Sequence, residues 1–179
     1  EDGSTIGLSA SYSTTDVDGK GTGKSKNSID SYTVSVYADK ATGVGYIEGS
    51  LTYGINDNTN SRSVKIAGLD RTYAGNFDSS QVSLQVGGGV PKEVKDGTFV
   101  TPFASATATQ ITTDKYTETS TTAADSLRLT VAQDDVTSLV GTVGVKAQMI
   151  TDKGTPMISL SVNNEFGDTK ISSQNTYKG

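Results

Sequence analysis

The chain has no cysteine, no histidine and no tryptophan, and only three prolines and two methionines among 179 residues. Each absence closes a route. Without Cys there is no disulfide, no thiol nucleophile and no thiolate metal site. Without His as well, the commonest pairings of base and nucleophile are missing, leaving only a Ser–Lys or carboxylate pair as catalytic options. Nothing favours either, so the chain reads as non-enzymatic, with no cofactor and no metal. No apolar run approaches the roughly 18 residues that a transmembrane helix requires, although this leaves a barrel of alternating strands open. A net charge of −5 lacks the basic face of a nucleic-acid binder. Glu1-Asp2-Gly3 has neither the basic start nor the apolar run of a signal peptide, so the chain is expected to be a mature form, a fragment or a cytoplasmic protein.

What is present is Ser, Thr and Gly, with 33% hydrophobic residues, a mixture that favours strands and polar connections over long helices. Period-two alternation predicts seven strands. Residues 5–13 place Ile6, Leu8, Ala10 and Tyr12 on one face. Residues 31–56 form a hairpin turning at 42–45, with Tyr32, Val34, Val36 and Ala38, then Ile47, Gly49, Leu51, Tyr53 and Ile55, on its apolar face. Residues 81–90 carry Val82, Leu84, Val86, Gly88 and Val90. Residues 99–110 carry Val100, Pro102, Ala104, Ala106 and Ala108. Residues 136–150 carry Leu139, Gly141, Val143, Val145, Ala147 and Met149, and 156–166 carry Ile158, Leu160, Val162 and Phe166.

The connections are informative in their order: long (14–30), short, long (57–76), short, long (111–135), short. Residues 64–67 and 127–131 are expected to form short ribbons within the long segments, and 167–179 is a polar tail. Outer-membrane barrels put short turns on one side and long loops on the other, whereas a soluble sandwich has no reason to do so. The polar faces carry Ser and Thr with Glu48, Gln85, Lys146, Gln148 and Glu165, which suit a wet channel lining. A one-sided antiparallel sheet facing water shows the same alternation, so a soluble or surface-exposed β-sandwich, serving as adhesin or assembly subunit, is the alternative.

Three motifs invite site readings and fail them. Residues 19–25 end in Gly-Lys-Ser, but Asp18 stands where a phosphate-binding loop needs Gly, and no helix pattern follows. Asp16-Val17-Asp18-Gly19 opens like a calcium loop, yet its glycine comes early and Asn27 stands where the closing Glu belongs. Gly87-Gly88-Gly89 ends a strand rather than opening a helix, unlike a dinucleotide fingerprint.

Residues 6–18 (IGLSASYSTTDVD), 31–58, 74–79 (AGNFDS), 100–120 (VTPFASATATQITTDKYTETS) and 135–167, taken in order and spacing, resemble the β-domain, or translocator, of bacterial autotransporters, the type V secretion family. The resemblance covers most of the chain. It implies an all-β, antiparallel up-and-down β-barrel of outer-membrane type, twelve-stranded in the family, with a helical linker in its pore and an N-terminal passenger. Seven strands form an odd part of such a barrel: about two are expected before residue 5 and about three after residue 166. Residues 1–179 are therefore expected to be a single β-barrel domain or part of one. The implied partners are outer-membrane lipid, the passenger, the barrel-assembly machinery, and other chains or a second copy pairing the open edges. The implied location is the bacterial outer membrane, against a cell-surface or secreted location under the alternative.

Overall fold

In the computed structural model, residues 3–20, 24–66, 68–120 and 126–177 are described, and they contain strands but no helix. The elements are β1 (Ser4–Asp18), β2 (Ser25–Ala41), β3 (Tyr46–Ile66), β4 (Leu69–Gly89), β5 (Lys92–Lys95), β6 (Thr98–Thr113), β7 (Tyr116–Thr117), β8 (Thr119–Ser120), β9 (Leu129–Gln133), β10 (Val136–Met149), β11 (Met157–Glu165) and β12 (Ser173–Tyr177). The seven strands expected from alternation are all present as an antiparallel meander in the order β1-β2-β3-β4-β6-β10-β11. The sheet is not closed; β1 and β11 end it.

The register runs without a slip through the long pairs. Leu8 faces Val36, Val36 faces Leu51, Leu51 faces Leu84, Leu84 faces Ala108 and Ala108 faces Leu139. Because strand side chains alternate, this alignment puts the apolar positions of every strand on one face. The connections at one end are tight. Thr42 and Gly45 close the β2–β3 turn with a 2.7 Å backbone hydrogen bond. Asp96-Gly97 closes the β5–β6 hairpin, where Gly97 has φ of 69°, a backbone conformation that Gly adopts without cost.

The three segments expected to be loops are corrected at the other end. Residues 14–18 and 25–30 continue β1 and β2, with Asp18 opposite Lys26. Residues 57–66 and 69–76 continue β3 and β4, each 21 residues long, down to Ile66 opposite Leu69. In the third segment β7 and β9 keep the β6–β10 register: Ile111 faces Val136 and Tyr116 faces Val131. The expected tail also pairs, with Ser173 opposite Gln133. The physical reason is common to all four. Beyond the sheet no uniformly apolar face runs along a ribbon, so no apolar alternation marks it, although its backbone still forms a ladder. The ribbons expected at 64–67 and 127–131 are found within β3 and around β9, Ala67 lying outside the described residues. Gly21, Thr22 and Gly23 of the rejected phosphate-loop motif, and 121–125 of the third segment, also lie outside them.

Very little is buried. Among the described residues the buried apolar side chains are Tyr73 and Val131, both in the outer ribbons. Among the described residues no protein core covers the apolar face.

Candidate functional site

The candidate site is the sheet itself, with two faces of opposite chemistry. On the apolar face exposure is high: 82% for Leu8, 62% for Val143 and 71% for Val162. Contiguous exposed apolar surface of this kind marks contact with another apolar phase. On β10 it extends from Leu139 to Met149, about 33 Å along the strand at about 3.3 Å per residue. At a tilt of about 40° that spans about 25 Å, the height of an outer-membrane apolar band.

The band has a chemically sharp outer edge. Asp30 lies opposite Asp57, Asp57 lies opposite Asp78, and the Asp114 amide donates to the Asp78 carbonyl at 2.9 Å. Three aspartates therefore succeed one another across β2, β3 and β4, and Asp114 follows just past the end of β6, all at positions of apolar-face parity. Tyr12 and Tyr32 lie just inside this row with ring centroids 5.1 Å apart, and the Tyr12 hydroxyl donates to Asp30 Oδ1 at 3.0 Å. Rings with a polar tip suit an apolar–water boundary.

The opposite face carries hydroxyl pairs between strands, Ser35 with Thr52 at 2.8 Å and Ser83 with Thr109 at 2.9 Å. Register parity puts Glu48, Gln85, Lys146, Gln148 and Glu165 all on this polar face. The structure brings only two of them together. Glu48 and Gln85 line a shallow cavity of about 230 Å³ with Tyr37, Asp39 and Ser50. Lys146 instead reaches across the face to the Tyr46 ring, 5.8 Å from its centroid. Gln148 lies opposite Phe99 and Met157. Glu165 is engaged at the end of the β10–β11 ladder, accepting from Ser138 Oγ at 2.6 Å and from the Leu139 and Gly167 amides, both at 2.7 Å.

The sequence did not reveal that three rings on the polar face, Tyr37, Tyr46 and Phe103, are packed over glycines. Each lies over a glycine in the neighbouring strand. A Cβ on Gly89 would come within 2.9 Å of Tyr46 Cε1, and one on Gly144 within 2.6 Å of Phe103 Cζ. The only available signal was the pairing of a glycine with an aromatic across two strands, which requires the register to be known first. Among the described residues no group of three or more acidic side chains is placed to hold a metal ion.

The chain matches the family described as Autotransporter beta-domain over residues 1–179. The chain belongs to that family. The β-domain is similar in fold to the translocator domain of the autotransporter NalP from Neisseria meningitidis, with a TM-score of 0.73 and 18% identity over 93% of this chain and 56% of that one. It is also similar to the beta domain of the Bordetella autotransporter BrkA, with a TM-score of 0.60 and 17% identity over 92% of this chain and 74% of that one. No curated protein sequence matches the chain. The β-domain therefore spans about half of the NalP translocator domain, and its unclosed sheet agrees with a partial barrel.

Proposed function

We propose that this β-domain is the translocator of an autotransporter, seated in the bacterial outer membrane and assisting export of an N-terminal passenger to the cell surface. The observation that carries the reading is the exposed apolar band, edged by tyrosines and the aspartate row and backed by a continuous polar face. In lipid every backbone group of a spanning segment needs a partner within protein, and paired strands supply it. The apolar face meets acyl chains, and the paired ribbons beyond the aspartates stand outside. Glu48, Gln85, Lys146, Gln148 and Glu165 line a wet channel, with Tyr46 and Phe103 narrowing it. The free edges of β1 and β11 pair with further strands of the complete barrel or with other chains, since lipid cannot satisfy them. The barrel-assembly machinery is the partner that inserts such a sheet. The role is non-enzymatic: the polar face offers Ser, Thr, carboxylates and Lys146, with no His or Cys to activate a nucleophile.

A soluble sandwich adhesin would need a second layer over Leu8, Leu51 and Val143, and no such layer packs there among the described residues. The test is made in bacteria producing the full-length protein. Leu51→Arg is expected to lower protease-accessible passenger at the cell surface, and Thr52→Arg to leave it near wild type. Equal passenger display from both variants would count against the reading.

A further inference from the structure

The two ends of the apolar side carry opposite charge. Directly paired strand residues share a face, so register alone assigns each side chain to its side. At the long-ribbon end, Asp16, Asp18 and Asp70 add to the aspartate row at apolar-face parity. At the short-turn end the same side carries lysines. Lys40 lies opposite Ser4 and Ile47. Lys92 lies opposite Val100 and Lys95 opposite Thr98, both apolar-face positions of β6. Simple alternation would put Lys92 and Lys95 on opposite sides. The register shifts between Glu93 and Lys95, however, and this bulge returns Lys95 to the side of Lys92.

The carboxylates of the short-turn end are directed elsewhere. Asp39 and Glu48 oppose each other at polar-face parity. Glu93 lies opposite Phe99 on that face, and its Oε1 accepts from the Gly97 amide at 3.0 Å. Asp96 and Asp152 sit in turns, the latter beside Lys153. Among the described strands, no carboxylate at this end stands at apolar-face parity. The cations also differ in their partners. The described ion pairs, Lys26–Asp16, Arg62–Glu118 and Lys65–Asp70, all belong to the long ribbons. Lys40, Lys92 and Lys95 are exposed and have no ion-pair partner among the described residues. On β2, Asp30 and Lys40 bracket Tyr32, Val34, Val36 and Ala38. Their separation is about 33 Å along the strand at about 3.3 Å per residue. At a tilt of about 40° it spans about 25 Å, the height of an apolar band. A lysine stem lies along apolar surface while its ammonium reaches the polar layer beyond.

We propose that Lys40, Lys92 and Lys95 form a contact surface for anionic glycerophospholipid head groups in the leaflet on the short-turn side. The proposal rests on the outer-membrane seating of the apolar band. Charge and position choose the occupant: unpaired ammoniums beside an apolar wall suit phosphates that carry acyl chains. The full-length protein is refolded into vesicles of phosphatidylcholine alone or mixed with phosphatidylglycerol, and urea titration is followed by far-UV circular dichroism. Phosphatidylglycerol is expected to raise the wild-type folding equilibrium constant by up to about a hundredfold, at about fivefold for each lysine near an anionic surface. The gain is expected to vanish when Lys40→Gln, Lys92→Gln and Lys95→Gln are combined. It should persist with arginine at all three positions and shrink in high salt. The salt arm uses the wild type alone, so it stands whether or not the glutamine variant folds. An equal gain in wild type and glutamine variant overturns the contact surface. So does a gain reproduced by inorganic phosphate added to phosphatidylcholine vesicles, and both results leave the apolar band standing. Failure of the wild type to fold into vesicles of either composition overturns the seating, and the lysine surface with it.

Discussion

Leu51 is the central apolar-face residue of the run Ile47 to Ile55 on β3, which puts it near mid-depth if that face meets lipid. An arginine at the midplane of a barrel costs about 2–4 kcal/mol, falling to about 0–1 kcal/mol near the interfaces. Leu51→Arg is therefore expected to lower the folding equilibrium constant about 30- to 700-fold at about 1.4 kcal/mol per decade. Thr52 points to the other face and shares a 2.8 Å hydrogen bond with Ser35. Thr52→Arg loses that bond, about 0.5–1.5 kcal/mol, while its charge reaches water. Ile55→Arg completes the series, since Ile55 is two positions from Asp57 in the same strand and its arginine reaches the aqueous edge. The full-length protein refolded into vesicles and titrated with urea, followed by far-UV circular dichroism, gives the three values. The expected order of destabilisation is Leu51→Arg first, with Thr52→Arg and Ile55→Arg both well below it. Equal losses at positions 51 and 52 would refute the lipid-facing assignment, and equal losses at 51 and 55 would refute the boundary.

Gly144→Ala puts a methyl group 2.6 Å from both Phe103 Cζ and the Leu160 carbonyl and is expected to cost about 1–3 kcal/mol. Adding Phe103→Leu should recover only part of that loss, because the carbonyl contact remains. Asp57 faces like charges at Asp30 and Asp78, so Asp57→Asn is expected to stabilise by about 0.5 kcal/mol, with the gain shrinking in high salt; a loss in urea titration would contradict this. Tyr116→Ala removes the stack on Phe77, and hydrogen exchange is expected to quicken in β7–β9 while the β2–β3 ladder keeps its protection.

The meander and the composition of its faces were legible in the sequence because one face of each strand is uniformly apolar, so period two survives from Ile6 to Phe166. The ribbons were not. Asn58, Asn60, Ser61 and Arg62 show no apolar alternation because all four are polar, and Gly, Asn and Asp are the residues that ordinarily signal turns. What orders this ribbon is tertiary: Tyr73, Phe77, Tyr116 and Glu118 come from segments far apart in the chain. The five polar-face residues share the expected face because parity alone decides it. Parity says nothing of reach, however, and Lys146 bends toward Tyr46 while Glu165 is used up by amides.

The aspartate row connects these two levels. Directly opposed like charges weaken a ladder, so Asp30, Asp57, Asp78 and Asp114 in succession are a poor choice for stabilising strand pairing. They make sense as a limit on depth. A carboxylate at apolar-face parity cannot be drawn into hydrocarbon without a solvation penalty, so in the proposed membrane setting these four, on β2, β3 and β4 and just past β6, would oppose any deeper insertion of the sheet. Tyr12 and Tyr32, one step inside, favour the same level from the apolar side. Above that line the ribbons can be polar on both faces and still remain strands, because water tolerates either face. On the proposed outer-membrane seating, the row that costs a little pairing energy separates the lipid-facing sheet from an aqueous ribbon built on the same uninterrupted strands.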